Sequence, residues 1–254
     1  NEDALLFQDD GSLWVAISPM FPSDGGIPHP RAVYARVDET GALVDTIFTP
    51  ESLGVRCPML STGQNRGGFW EDKREPYFPK AKWTFGPDGT LVFGCPADYL
   101  LDVVRTDASV LRVHRAWVPL EMSEEEKDFK AKWGIIPQLP TELPAYARVV
   151  IPGDGRIWVW PTQPSIKFPL SQEQQESFGE THTWLVSWEG SFDVFSDEGE
   201  WLAVVQLPKE ARYSGFPTEP SIFIRGDTIW AVAQDSLEVQ YVVRYVVDGL
   251  NGIH

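Results

Sequence analysis

Asp154-Gly155-Arg156-Ile157-Trp158-Val159 reads as a tight turn running straight into a strand, and the chain writes it four times. The other copies are Asp10-Gly11-Ser12-Leu13-Trp14-Val15, Asp88-Gly89-Thr90-Leu91-Val92-Phe93 and Gly226-Asp227-Thr228-Ile229-Trp230-Ala231. Aligned on Gly11, Gly89, Gly155 and Asp227, the copies stand 78, 66 and 72 residues apart. Gly and Asp tolerate positive φ where a chain reverses, and the β-branched and aromatic run that follows is strand-forming. Each copy is therefore the tip of a hairpin, and the chain is a repeat protein.

A second hairpin follows each copy. Ala32–Val37 turns at Glu39–Gly41 into Leu43–Phe48, and Leu101–Val104 turns at Thr106–Ser109 into Val110–Val113. Trp184–Trp188 with Asp193–Phe195 turns at Asp197–Gly199 into Trp201–Leu207, and the last copy leads to Val239–Val247. Two hairpins per period give four strands, the unit of a β-propeller blade. Propeller repeats run about 40 to 50 residues, so these longer periods carry insertions, at Thr49–Trp83, Pro119–Leu143 and Pro161–Glu180. One helix is expected, at about 123–133, with Ser123 as cap and Glu126 completing a capping box. The expected fold is an all-β propeller of four-stranded antiparallel blades, a single domain over 1–254 with blades at 1–50, 76–118, 144–207 and 216–248.

Composition narrows the function. The 254 residues hold 21 Lys+Arg against 37 Asp+Glu, a formal charge of −16, which disfavours a phosphate-tracking nucleic-acid protein. No apolar run approaches the roughly 18 residues of a membrane span. The two cysteines, Cys57 and Cys95, lie 38 residues apart. They either pair as a disulfide, worth roughly 4 kcal/mol by loop closure, or are two small buried thiols. Their spacing excludes a CxxC metal or redox site.

Catalytic signals are thin. The four histidines, His29, His114, His182 and His254, show no metal-binding spacing, and no GxSxG elbow nominates a serine. Asp10, Asp88, Asp154 and Asp227 recur at one point in each repeat, where an Asx turn explains them. No catalytic residue and no metal ligand is assigned. The segment Ser61–Lys82 stands out in an acidic chain because it joins cations to aromatics. Arg66, Trp70, Lys73, Arg74 and Tyr77 are the binding candidates, since that mixture is enriched at interaction hot spots. Trp14, Trp158 and Trp230 occupy equivalent strand positions and read as packing between blades. The carboxylates of Glu121–Asp128 read as a solvated helix start, favoured by the helix dipole.

Three stretches carry a family resemblance. They are Pro76-Tyr77-Phe78-Pro79 with Trp83, the Asp88–Gly94 turn and strand, and Tyr99; Arg115–Pro119 through the Ser123–Glu126 cap to Leu143-Pro144-Ala145-Tyr146 and Asp154–Trp160; and Gly226–Val232 with Asp235–Val239 and Tyr241–Tyr245. Over most of residues 76–247 the chain resembles bacterial six-bladed β-propellers with NHL-like repeats, many of them secreted or lipoproteins. It departs from them in having four repeats, so the resemblance implies that N-terminal blades are missing or supplied by another chain. It also implies a periplasmic or cell-surface location. The expected function is a non-enzymatic binding or scaffolding propeller for a protein or saccharide partner, with no cofactor. The alternatives are a propeller hydrolase or lactonase using a divalent cation, and a structural subunit of a larger complex.

Overall fold

A computed structural model describes residues 5–7, 11–17, 33–48, 82–132, 141–186, 190–208, 212–213, 222–234 and 239–250. The repeated turn-and-strand copies organise four antiparallel sheets. The first sheet takes β1 (Leu5–Phe7), β2 (Leu13–Ile17), β3 (Val33–Val37) and β4 (Leu43–Phe48) in chain order. The second takes β5 (Lys82–Phe85), β6 (Leu91–Gly94), β7 (Leu100–Val104) and β8 (Val110–His114). After helix α1 (Glu124–Lys132), the third is built from β9 (Tyr146–Val150), β10 (Ile157–Pro161), β13 (Ser191–Phe195) and β14 (Trp201–Gln206). Between β10 and β13 an arm leaves the sheet as β11 (Ser165–Pro169), α2 (Gln172–Phe178) and β12 (His182–Val186). The fourth sheet is centred on β17 (Thr228–Gln234), with β18 (Gln240–Val246) on one edge and β15 (Arg212–Tyr213) and β16 (Ile222–Arg225) in succession on the other.

Each of the first three sheets is a four-stranded meander, the blade unit of a β-propeller, so the all-β, blade-built architecture expected from the repeats is present. Gly11, Gly89 and Gly155 hold φ of 80°, 90° and 82° at their repeat turns, which is why glycine stands there.

The third sheet is packed on both faces. Alternation along β10 sends Ile157 and Val159 into a core with Val92, Leu101, Val103 and Val113 of the second sheet. Trp158 and Trp160 point the other way, into a core with Phe192, Val194, Ile224 and Ile229 that joins the fourth sheet. Trp158, fully buried, is inter-sheet packing as the repeat implied. Trp230 differs. It lies across from Phe223, which is 61% exposed, on the face of the fourth sheet turned away from that core. Trp14 lies in β2, and its side chain is outside the described residues.

Further sequence expectations need correction, and one is the strand at Trp184–Trp188, since β12 pairs with β11 outside the third sheet. Among the described residues there are two helices, not one, because the Gln-rich stretch after Pro169 forms α2. Ser171 caps it, its Oγ accepting from the Gln174 N–H at 3.3 Å, with Gly179 closing the other end at a φ of 67°. In α1 the carboxylates are not all solvated: Glu126 is buried and pairs with the equally buried Lys130 one turn on.

Candidate functional site

Strand parity decides where function can sit. In an antiparallel meander, successive connections alternate between the two ends of the sheet. One end carries most of the tight connections, at 38–42, 86–90, 105–109, 151–156, 196–200 and 226–227, while the tight connection 95–99 lies at the other. From the other end leave the stretches 49–81, 115–145 and 162–190. Every long insertion in the sequence thus starts and finishes at one end of the sheets.

Beside that end a buried charge cluster bridges the second and third sheets. Asp193 lies on β13 opposite Val159, a buried carboxylate at a core of mixed aliphatic and aromatic side chains. Tyr99, just before β7, donates from its hydroxyl to Asp193 Oδ2 at 2.6 Å. Arg115, just after β8, donates from Nη1 to the same oxygen. The guanidinium carbon sits 5.6 Å from the centre of the Tyr99 ring and 5.9 Å from that of the half-exposed Trp201. A buried carboxylate is tolerated only with such partners. Burial, reinforced by the charge of Asp193, holds the Tyr99 hydroxyl far above its ordinary range. The Tyr146 ring lies 5.6 Å from that of Tyr99, tilted by 57°, its hydroxyl donates to the Leu100 carbonyl at 3.1 Å, and burial likewise raises that hydroxyl.

The arm is the second element at this end. In the β11–β12 hairpin Lys167 stands opposite Trp184, its ammonium 5.2 Å from the indole centre. This side faces α1: Lys167 pairs with Glu125, Lys132 with Glu180, and the Phe129 ring lies 5.4 Å from that of His182. Alternation puts Ile166 and Phe168 on the opposite side, where both are exposed, as is Phe178 of α2. An isolated hairpin is marginal in water; here α1 braces one side, and the other side carries the exposed Ile166 and Phe168.

The carboxylates at the tight-turn end have structural partners. Asp88 Oδ1 accepts from the Thr90 N–H at 3.0 Å, and Asp154 Oδ1 from that of Arg156 at 3.2 Å, as Asx turns require. Arg156 also reaches Asp227 at 2.5 Å, tying the third sheet to the fourth. Among the described residues no three His, Cys, Asp or Glu side chains come together as a metal site.

The candidates Arg66, Trp70, Lys73, Arg74 and Tyr77 lie outside the described residues, as do Cys57, Asp10, His29 and His254. Cys95 is disulfide-bonded. Tyr99, Arg115 and Asp193 were not singled out by function in the sequence. The legible signal was Asp193 itself, a carboxylate inside the apolar run Phe192–Phe195.

No known protein family matches the chain, and no characterised protein matches it in sequence. Among solved structures it is similar to a streptogramin B lyase, at 12% identity and a TM-score of 0.35 over 98% of this chain and 69% of that one. It is similar to virginiamycin B lyase from Staphylococcus aureus at 11% identity and a TM-score of 0.30, over 98% and 72% of the two chains. A protein of unknown function from Bacteroides caccae follows at 9% identity and a TM-score of 0.24, over 80% of each chain.

Proposed function

We propose that this protein is a binding or scaffolding propeller that engages a protein partner through the end of its sheets bearing the long insertions. The observation that carries this is the braced arm: α1 fixes one side of the β11–β12 hairpin, Ile166 and Phe168 are exposed on the opposite side, and Phe178 is exposed on α2. Exposed apolar groups on a fixed support are what protein recognition uses. The disulfide at Cys95 supports an oxidising location such as the periplasm or cell surface.

The test compares two surfaces. Partner capture on immobilised protein is measured for the wild type, for Ile166→Asp/Phe168→Asp, and for Thr106→Lys at the tight-turn end. Loss of capture in the first variant alone, with melting temperature unchanged, is expected; equal capture by all three overturns the proposal.

A second reading has its own observation. Trp201, 53% exposed beside the Arg115 guanidinium, offers a flat face and hydrogen-bond donors of the kind that bind a sugar ring. Quenching of tryptophan fluorescence by oligosaccharides, absent in Trp201→Ala, is the corresponding check.

A further inference from the structure

The sheets repeat their facing as well as their strands. Counted from the turn position shared by Gly89, Gly155 and Asp227, the second residue on, Ile157 or Ile229, faces the preceding sheet. The third, Val92 or Trp158, faces the following one. In the fourth sheet the third residue is Trp230, with Phe223 and Arg244 across from it on either side. The pairs Val232–Val242 and Thr228–Val246 lie on the same face, one to each side along the strands. The third sheet buries this face, with Trp158, against the fourth. On the fourth sheet Phe223, Val242 and Val246 are each more than half exposed.

Each of these seams is also tied at the tight-turn end by an arginine. Arg105 of the second sheet donates to the Asp197 carbonyl of the third at 2.7 Å, and Arg156 of the third reaches Asp227 of the fourth at 2.5 Å. Arg225 offers the same from the fourth sheet: it is exposed, next to the turn, and across from Thr228, which holds the place of Arg156. Among the described strand residues that face carries no carboxylate, in a chain of charge −16. The first sheet has the complementary face. Leu13 is its second residue after the turn, and pairing puts Val15, Val37 and Leu43 on the same side, around the buried Ala35. Leu43 is mostly exposed, and the exposed Glu39 stands in the turn that joins β3 to β4.

We infer that the Trp230 face of the fourth sheet docks the Leu13 face of the first sheet in a second copy of this chain. Copies then associate front to back, and each joint continues the seams already present inside the molecule. Such a heterologous joint closes into a ring of copies or runs on as a chain. Burial of the apolar side chains supplies the attraction. Arg225 against the acidic β3–β4 turn of the next copy supplies orientation. The joint is separate from the insertion-bearing arm and does not depend on the function proposed for it.

The test follows particle mass by sedimentation velocity as concentration is raised through the micromolar range. It compares the wild type with Phe223→Asp/Val242→Asp and with Leu43→Asp, all substitutions of exposed side chains. The wild type is expected to exceed the mass of a single chain, and each variant alone to stay at it. Mixing the two variants restores one joint, because the first keeps its Leu13 face and the second its Trp230 face. A two-chain particle that grows no further is expected, and its formation shows that both variants are folded. Arg225→Glu is expected to weaken wild-type association about tenfold. A wild type that stays at single-chain mass overturns the inference. So does a mixture that remains single while both variants keep the wild-type circular dichroism. Self-association of Leu43→Asp overturns it too, since the Trp230 face then pairs with something other than the first sheet.

Discussion

The two faces of the third sheet solve the same packing problem with opposite chemistry. Toward the fourth sheet the core is aromatic and apolar, with Trp158 packed edge-on against Phe192 at 5.6 Å. Toward the second sheet the core is interrupted by the carboxylate of Asp193, held by Tyr99 and Arg115. The apolar seam draws its strength from burial, which is large and undirected. The charged seam is costly to leave incomplete, because an ionised carboxylate without partners opposes folding. It accepts one arrangement of Tyr99, Arg115 and Asp193, and so specifies how the second sheet docks.

Breaking the apolar seam gives the largest effect. Trp158→Ala is expected to remove about 3 to 5 kcal/mol, measured by chemical denaturation. Breaking the charged seam at its centre comes next. Asp193→Ala leaves the guanidinium and the phenol without their shared acceptor, and about 3 kcal/mol is expected to be lost. The sharper experiment replaces all three partners, as Tyr99→Phe, Arg115→Met and Asp193→Leu. If the cluster serves specificity, this variant is more stable than Asp193→Ala alone; an equal or greater loss shows that it is a net source of stability.

Tyr99→Phe keeps the ring and the Arg115 contact but deletes one charge-assisted hydrogen bond, and about 1.5 to 2 kcal/mol is expected to go. The smallest effect is a pH dependence. Tyr99 and Tyr146 are raised above the ordinary 10.0, so above that pH the unfolded chain releases protons that the folded one retains. Stability therefore falls as pH rises past about 10. Lys130, lowered by burial, acts oppositely up to its ordinary 10.5. Comparing the wild type with Tyr146→Phe at each pH removes that contribution, and the variant should show the shallower alkaline decline.

The difference between the seams also explains what the sequence disclosed. Trp158 announced its strand because a repeated turn precedes it, whereas its burial is not set by the repeat, since Trp230 at the equivalent place faces away from the shared core. The hairpins at Ala32–Phe48 and Leu101–Val113 were legible for the same reason, since local turn chemistry and strand alternation need no distant partner. Asp193 depends on residues 94 and 78 positions away, and no local pattern encodes such a meeting. The strand expected at Trp184–Trp188 was misassigned for a related reason. Its residues alternate like a blade strand, yet β12 pairs with β11 in the arm, and pairing choice is a tertiary matter. Helix α2 was hidden by polarity: Gln172–Phe178 has no buried face, so only its caps distinguish it from a loop.

The alternation of connections between the two ends has a consequence for growth of the molecule. A segment lengthened on the insertion-bearing end changes neither the pairing register nor the facing residues of any strand, because both strand ends it joins are already fixed by their neighbours. A residue added in the turn at Asp88–Gly89 or Asp154–Gly155 slips a strand by one place and sends its inward side chains to the opposite face. The long connections are therefore open to revision while the tight turns are held to the residue, and new specificities can be fitted without folding being solved again.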